Sequence, residues 1–203
     1  MSRSRILTSL AFAGVLLAVV AGPVRADSAP VTDKTNLISA NPLPLIWGEF
    51  DLNGEHKMNE KSSITAAFSY WSLSFANYSW TAIGVGGGYR MYFSPVAPDG
   101  FYWEPRVDVA TVSLKIDYSI LGLGTATGSG IVFSPGAVVG RQWVWEGGFF
   151  IDLAIGAGIG IGSVEATVGP YTQKASLSGF GLKGRFALGY AWGASGGHSG
   201  SKM

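Results

Sequence analysis

The chain has 203 residues, with 14 Lys and Arg against 13 Asp and Glu, 30 glycines and no cysteine. The absence of cysteine excludes a disulfide-stapled domain and a lipoprotein, and a near-neutral balance without a basic stripe excludes nucleic acid as a partner. Only 13% of residues are charged while 47% are hydrophobic, yet after the first 26 residues no apolar run approaches the roughly 20 residues of a spanning helix.

At the N-terminus, Arg3 and Arg5 precede an apolar run from Ile6 to Ala21. Gly22 and Pro23 break it, and Val24-Arg25-Ala26 places small residues where a signal peptidase reads them. Residues 1–26 therefore read as a cleaved secretory signal peptide. The alternative is an uncleaved anchor, but the run contains Thr8, Ser9 and Gly14 and falls short of a membrane span. Cleavage removes three arginines and no acid, leaving 11 basic against 13 acidic residues and a formal charge of −2. Residues 27–32 form a short N-terminal segment.

From there the hydrophobic period is two, the signature of strands. Asp33 to Asn41 reads as a first strand closed by Pro42-Leu43-Pro44. Leu45 to Lys57 sets Ile46, Phe50 and Leu52 on one face and Glu49, Asp51, Asn53 and Glu55 on the other. A polar turn, Met58 to Lys61, leads into Ser62 to Ser74, with Ile64, Ala66, Phe68 and Tyr70 in phase. Trp80 to Phe93 follows, presenting Ile83, Val85, Tyr89 and Met91.

After the proline-dense turn Ser94 to Gly100, Phe101, Trp103, Val107 and Val109 alternate with Glu104, Arg106 and Asp108. Thr125 to Arg141 carries Ile131, Phe133, Ala137 and Val139 in phase, and Arg141 to Glu146 turns the chain. Phe149 to Gly162 alternates Ile151, Leu153, Ile155, Ile159 and Ile161 with Asp152, Ala154 and four glycines. Leu177 to Trp192 closes the series, and Gly193 to Met203 reads as a disordered Gly/Ser-rich periplasmic tail.

Eight strands, each with one apolar face and each long enough to cross a membrane when tilted, predict an eight-stranded antiparallel up-and-down transmembrane β-barrel over residues 33–192. With both termini in the periplasm, Met58 to Lys61, Ser94 to Gly100 and Arg141 to Glu146 are periplasmic turns. Pro42 to Pro44, Leu73 to Ser79, Ile116 to Gly124 and Ser163 to Ser176 are then extracellular connections. All seven tryptophans fall near strand ends on this layout, the pattern of interfacial aromatic girdles.

Three blocks carry a resemblance: Lys34-Thr35-Asn36-Leu37, Asn59-Glu60-Lys61-Ser62-Ser63-Ile64, and Gly88-Tyr89-Arg90-Met91-Tyr92-Phe93 with Ala97-Pro98-Asp99-Gly100-Phe101-Tyr102. They resemble a family of small Gram-negative outer-membrane proteins catalogued as a domain of unknown function and taken to be eight-stranded barrels. More loosely, the chain is similar to the outer-membrane protein A transmembrane domain and the outer-membrane protein X and W families. The resemblance spans about residues 34–192 and implies a fold and a bacterial outer-membrane location. It also implies outer-membrane lipid and the barrel-assembly machinery as partners, with a terminal aromatic, Trp192, as part of the assembly signal. A tail after Trp192 departs from that pattern, and it is too short for a peptidoglycan-binding domain. A monomer is the favoured state.

By parity the interior receives Glu49, Asp51, Glu55, Arg90, Glu104, Arg106, Asp108, Asp152, Lys183 and Arg185. A salt-bridged core is the reading an eight-stranded lumen favours; a path for protons or small solutes is the alternative. Gly84, Gly86, Gly88, Gly156, Gly158, Gly160 and Gly162 also point inward. They leave room for an outward-opening cavity, of a kind that could take an acyl chain, or else permit a tightly coiled sheet with no void.

Gly179-Phe180-Gly181-Leu182-Lys183-Gly184 matches a dinucleotide fingerprint but lies within a strand with no following helix. Two histidines, His56 and His198, supply neither a nucleophile partner nor a metal cluster. No catalytic residue, cofactor or metal ligand is expected. The leading expectation is a non-enzymatic structural or surface-interaction barrel, followed by a narrow pore or carrier and then by a lipid-modifying enzyme.

Overall fold

The computed structural model describes residues 33–93, 95–117, 125–168 and 171–193. The expected signal peptide, the 27–32 segment, the tail from residue 194 and most of the Ile116 to Gly124 connection lie outside the described residues.

Eight strands form one closed antiparallel barrel in sequence order. They are β1 (Asn36–Asn41), β2 (Glu49–Asn59), β3 (Ser62–Phe75), β4 (Tyr78–Tyr92), β5 (Gly100–Asp117), β6 (Thr125–Val144), β7 (Phe149–Val168) and β8 (Tyr171–Trp192). The up-and-down prediction is met. Registered pairs followed from Leu188 through Ala40, Leu52, Phe68, Val85, Val109, Phe133 and Ile161 return to β8 at Ser178, ten residues from the start. That stagger tilts the strands by about 35–45° from the barrel axis.

Pleat parity sorts the side chains. Ile64, Phe68, Val85, Phe133, Val139, Ile155, Ile161, Phe180 and Leu182 are exposed on the outer wall, while Arg90, Glu104, Gln142 and Asp152 are buried inside. This inverts the ordinary arrangement of a globular protein, in which charged groups face water and apolar groups face the core.

Several boundaries differ from the periodicity reading. Pro42 and Pro44 lack N–H donors, so β1 stops at Asn41 and a single 3-10 turn, Leu43–Trp47, occupies what read as the start of the second strand. The connections drawn at Leu73 to Ser79 and Ser163 to Ser176 shrink, because β3 and β4 run to Phe75 and from Tyr78, and β7 and β8 run to Val168 and from Tyr171. Polar cross-strand pairs sustain these extensions, including Glu165 with Lys174 and Thr167 with Thr172, whose hydroxyls lie 3.0 Å apart. The turn expected from Arg141 also starts later, since β6 continues to Val144.

Strand length climbs from 6 residues in β1 to 22 in β8, so the rim slopes. β1 pairs with β8 only between Asn36 and Ala40 on one side and Leu188 and Trp192 on the other. Above that seam, β8 from Tyr171 to Ala187 is laddered with β7 alone among the described residues.

The tryptophans also divide. Trp103, Trp145 and Trp192 are exposed on the outer wall near the end where β1 begins and β8 finishes, and Trp145 stacks on Phe149 at 5.4 Å. Trp71 and Trp80 instead lie on the inward side of β3 and β4, 5.9 Å apart. They correct the two-girdle expectation, because position near a strand end does not decide which face a residue occupies.

The inward glycines differ in what surrounds them. A Cβ at Gly156 would overlap the Ala137 carbonyl and approach Val138 Cγ1 to 2.7 Å, whereas at Gly181 it would meet nothing within 4 Å. Gly156→Ala should therefore destabilise the barrel by about 1–3 kcal/mol and Gly181→Ala should stay within about 0.5 kcal/mol of wild type, read from urea unfolding midpoints in detergent.

Candidate functional site

The interior is organised around Arg90 on β4, a residue only 2% exposed. Its Nε donates to Glu104 Oε2 at 3.1 Å. Nη1 donates to Glu55 Oε2 at 2.7 Å and Gln142 Oε1 at 2.6 Å. Nη2 donates to Glu104 Oε2 at 2.9 Å and Asp152 Oδ2 at 3.0 Å. A guanidinium has five N–H donors, and here each is used. Tyr102 places its ring 3.8 Å from the guanidinium carbon and donates its hydroxyl to Asp152 Oδ1, while Tyr92 donates to Glu55 Oε1 at 2.7 Å.

A second layer continues toward the rim. Arg185 Nη1 reaches Glu104 at 3.1 Å and Asp152 at 3.3 Å. Arg106 bridges Glu104 at 3.3 Å and Asp108 at 2.6 Å, and Lys183 meets Asp108 at 2.7 Å. Thr65 Oγ1 adds a 3.0 Å hydrogen bond to Glu104 Oε1. The acids Glu55, Glu104, Asp108 and Asp152 thus balance the bases Arg90, Arg106, Lys183 and Arg185. Paired in this way, buried charges avoid the large penalty of an isolated ion.

The plug brings together eight of the ten charges assigned to the lumen. Asp51 sits apart, with Asn41 Nδ2 3.5 Å from its Oδ2, and Glu49 is half-buried at the start of β2. Parity also carries Tyr92 and Tyr102 inward, two residues from Arg90 and Glu104, and Thr65 and Gln142 inward, opposite the apolar faces of β3 and β6. These polar members were available to the same count but have no charge to draw attention to them.

Below the plug, the β4–β5 connection folds under the barrel. Ala97 and Pro98 are fully buried; Gln142 Nε2 donates to the Pro98 carbonyl at 2.8 Å, and Ala97 N donates to the Glu60 carbonyl at 3.0 Å. Asp99 Oδ1 accepts from Val144 N at 3.3 Å, and burial pushes its carboxyl above the ordinary range. Two apolar clusters, one of Tyr92, Ala97, Tyr102, Val138 and Ala154 and one of Leu37, Val144, Phe150 and Ala191, complete the floor. A void of about 10 Å³ beside Arg90, Glu55 and Gly54 is at the lower limit for one water.

The glycines serve this packing. A Cβ at Gly84 would lie 2.6 Å from Ser69 Oγ, at Gly88 it would lie 2.8 Å from Glu104 Oε1, and at Gly86 it would overlap Asp108. Gly158 and Gly136 form a bed for Lys183, whose Cε would stand 2.6 and 2.8 Å from their added Cβ atoms. Gly156 and Gly162 lie against the backbone of β6, and Gly160 has ordinary contacts with Val132 and Ser134. Most of the space read as a cavity is therefore occupied by neighbouring charged side chains and by close strand approach. A concavity of about 510 Å³ lies elsewhere, lined chiefly by outward-facing residues such as Thr81, Ile83, Ser129 and Ile131.

The translocator domain of the autotransporter NalP from Neisseria meningitidis is similar to this chain with a TM-score of 0.42 and 18% identity, over 91% of this chain and 69% of that one. No family model matches, and no curated protein matches.

Replacing Arg90 with Leu leaves three buried carboxylates short of their shared partner and should cost about 3–5 kcal/mol, whereas Lys174→Ala, which breaks a pair 75% and 47% exposed, should cost at most about 1 kcal/mol. Unfolding midpoints check both. For Asp99 the folded-state value is raised, so its stabilising contribution is present below the ordinary carboxylate value and is lost as pH rises through the folded one. Asp99→Asn retains an acceptor for Val144 N and should remove that component from a plot of unfolding midpoint against pH.

Proposed function

We propose that this protein is an integral outer-membrane β-barrel with a non-enzymatic structural or surface-interaction role. The observation that carries the reading is the inverted polarity: an outer wall of exposed Ile, Val, Phe and Leu surrounds a charged, hydrogen-bonded interior. Lipid demands that backbone polarity be satisfied within the sheet, and a barrel laddered strand to strand does so. Exposed tryptophans at the end where β1 begins and β8 finishes suit the headgroup level of the periplasmic face, so the longer β5–β8 wall rises toward the cell exterior. Export by a cleaved signal peptide belongs to the same reading, as does assembly by the barrel-inserting machinery.

The plug bears on the pore alternative. Arg90 ties side chains from four other strands across the lumen, and the floor beneath it is apolar and filled. That arrangement supports a closed barrel rather than a constitutive channel. A catalytic role has less support: His56 Nδ1 lies 2.8 Å from Asn36 Oδ1 in an exposed pair, away from the buried carboxylates.

Unboiled protein should migrate differently from boiled protein on gels and fractionate with outer membranes; a soluble periplasmic protein without that shift would refute the reading. In planar bilayers wild type should give no steady conductance. Steady wild-type channels, reduced in Arg106→Ala or Asp152→Ala, would favour the pore instead.

A further inference from the structure

On the outer wall the strands of the tall side form registered rows that change character within two steps. Val85, Val109, Phe133 and Ile161 are mutually paired across β4 to β7 and form an apolar row. The next row toward the rim pairs Ile83, Thr111, Ile131 and Ser163. The row above it pairs Thr81, Ser113, Ser129, Glu165 and Lys174 and contains no apolar residue. The concavity of about 510 Å³ straddles these two upper rows, and its volume falls within the range of small-molecule sites.

The lining has a specific chemistry. Ile83 and Ile131, 47% and 58% exposed, offer an apolar floor. Hydroxyls of Thr81, Thr111, Ser113, Ser129 and Ser163 surround it. Thr111 Oγ1 makes a 3.4 Å bond to the Ile83 carbonyl, which leaves its oxygen able to accept. The two charged residues of the lining, Glu165 and Lys174, are paired with each other at 3.3 Å, so the groove carries no net charge.

We infer that this groove binds the uncharged sugar headgroup of a glycolipid in the outward-facing leaflet, with the acyl chains lying along the apolar row beneath. The inference rests on the membrane reading, which puts the step from apolar to hydroxyl rows at the boundary between hydrocarbon and headgroups. A sugar ring matches the lining because it combines C–H faces with a dense edge of hydroxyl donors and acceptors. A phosphate headgroup would bring a charge to a site whose single cation is already paired.

The test uses the folded full-length protein, first inserted into phosphatidylcholine liposomes and then examined by native mass spectrometry in a non-ionic detergent. Glucosyl diacylglycerol, phosphatidylglycerol with the same acyl chains and methyl glucoside are the probes. Wild type should retain the glycolipid at about tenfold lower concentration than the phospholipid, and should bind methyl glucoside far more weakly than either. The triple variant Ser113→Val, Ser129→Val, Ser163→Val should lose the preference while keeping its heat-dependent gel shift. The single variant Ser129→Tyr, which fills the groove, should act likewise. Equal retention of the two lipids by wild type, an unchanged preference in folded variants, or methyl glucoside bound as tightly as glycolipid would overturn the inference. Failure to insert into liposomes would instead overturn the membrane reading itself.

Discussion

The structure depends on one guanidinium. In an antiparallel barrel the backbone ladder ties each strand only to its two neighbours, and nothing in that ladder spans the lumen. Arg90, held on β4, reaches β2 through Glu55, β5 through Glu104, β6 through Gln142 and β7 through Asp152. Without it, Glu104 and Asp152 would be left to share Arg185 and Arg106, and Glu55 would lose its guanidinium partner in a low-dielectric space, where an unpaired carboxylate carries a desolvation cost of several kcal/mol. Tyr92 and Tyr102 finish the network by donating to the carboxylate oxygens that Arg90 leaves over. The charge cluster is therefore a cross-lumen fastening, and its balance of four acids and four bases lets it sit where water is scarce.

Glycine makes that fastening fit. Charged side chains of this size need volume that a narrow barrel cannot supply if every inward position bears a Cβ. Gly86 and Gly88 admit Asp108 and Glu104 from the neighbouring strand, and Gly136 and Gly158 admit Lys183. The same substitution pattern thins the wall above the plug, where Gly179 and Gly181 face open space. There the seam between β1 and β8 has already ended. Among the described residues, β8 from Tyr171 to Ala187 is laddered with β7 alone.

Alternation every second residue made eight strands, their order and their faces legible from the chain alone. The inward charges were legible for the same reason: parity assigns Arg90, Glu104, Asp152 and Arg185 to the lumen without any knowledge of their partners. Boundaries were less legible where alternation stopped but pairing did not. The Ser163 to Ser176 stretch lost its apolar period, because strands beyond the apolar belt need no greasy face, yet Glu165–Lys174 and Thr167–Thr172 pairs keep it extended. Trp71 and Trp80 show the complementary limit, since closeness to a strand end does not determine inward or outward orientation.

Sequence by itself determined the class of fold, the polarity of each wall and the charged character of the interior, because all three follow from local period and residue type. Tertiary structure decided which charges meet, since Glu55, Arg90, Glu104, Gln142 and Asp152 come together only after a ten-residue stagger brings five strands to one level. It also decided that glycines beside the plug hold side chains rather than an empty cavity, that β1 covers only the Leu188 to Trp192 end of β8 among the described residues, and that a hydroxyl-lined groove lies outside. Those outcomes depend on register and closure around the ring, which no single strand encodes.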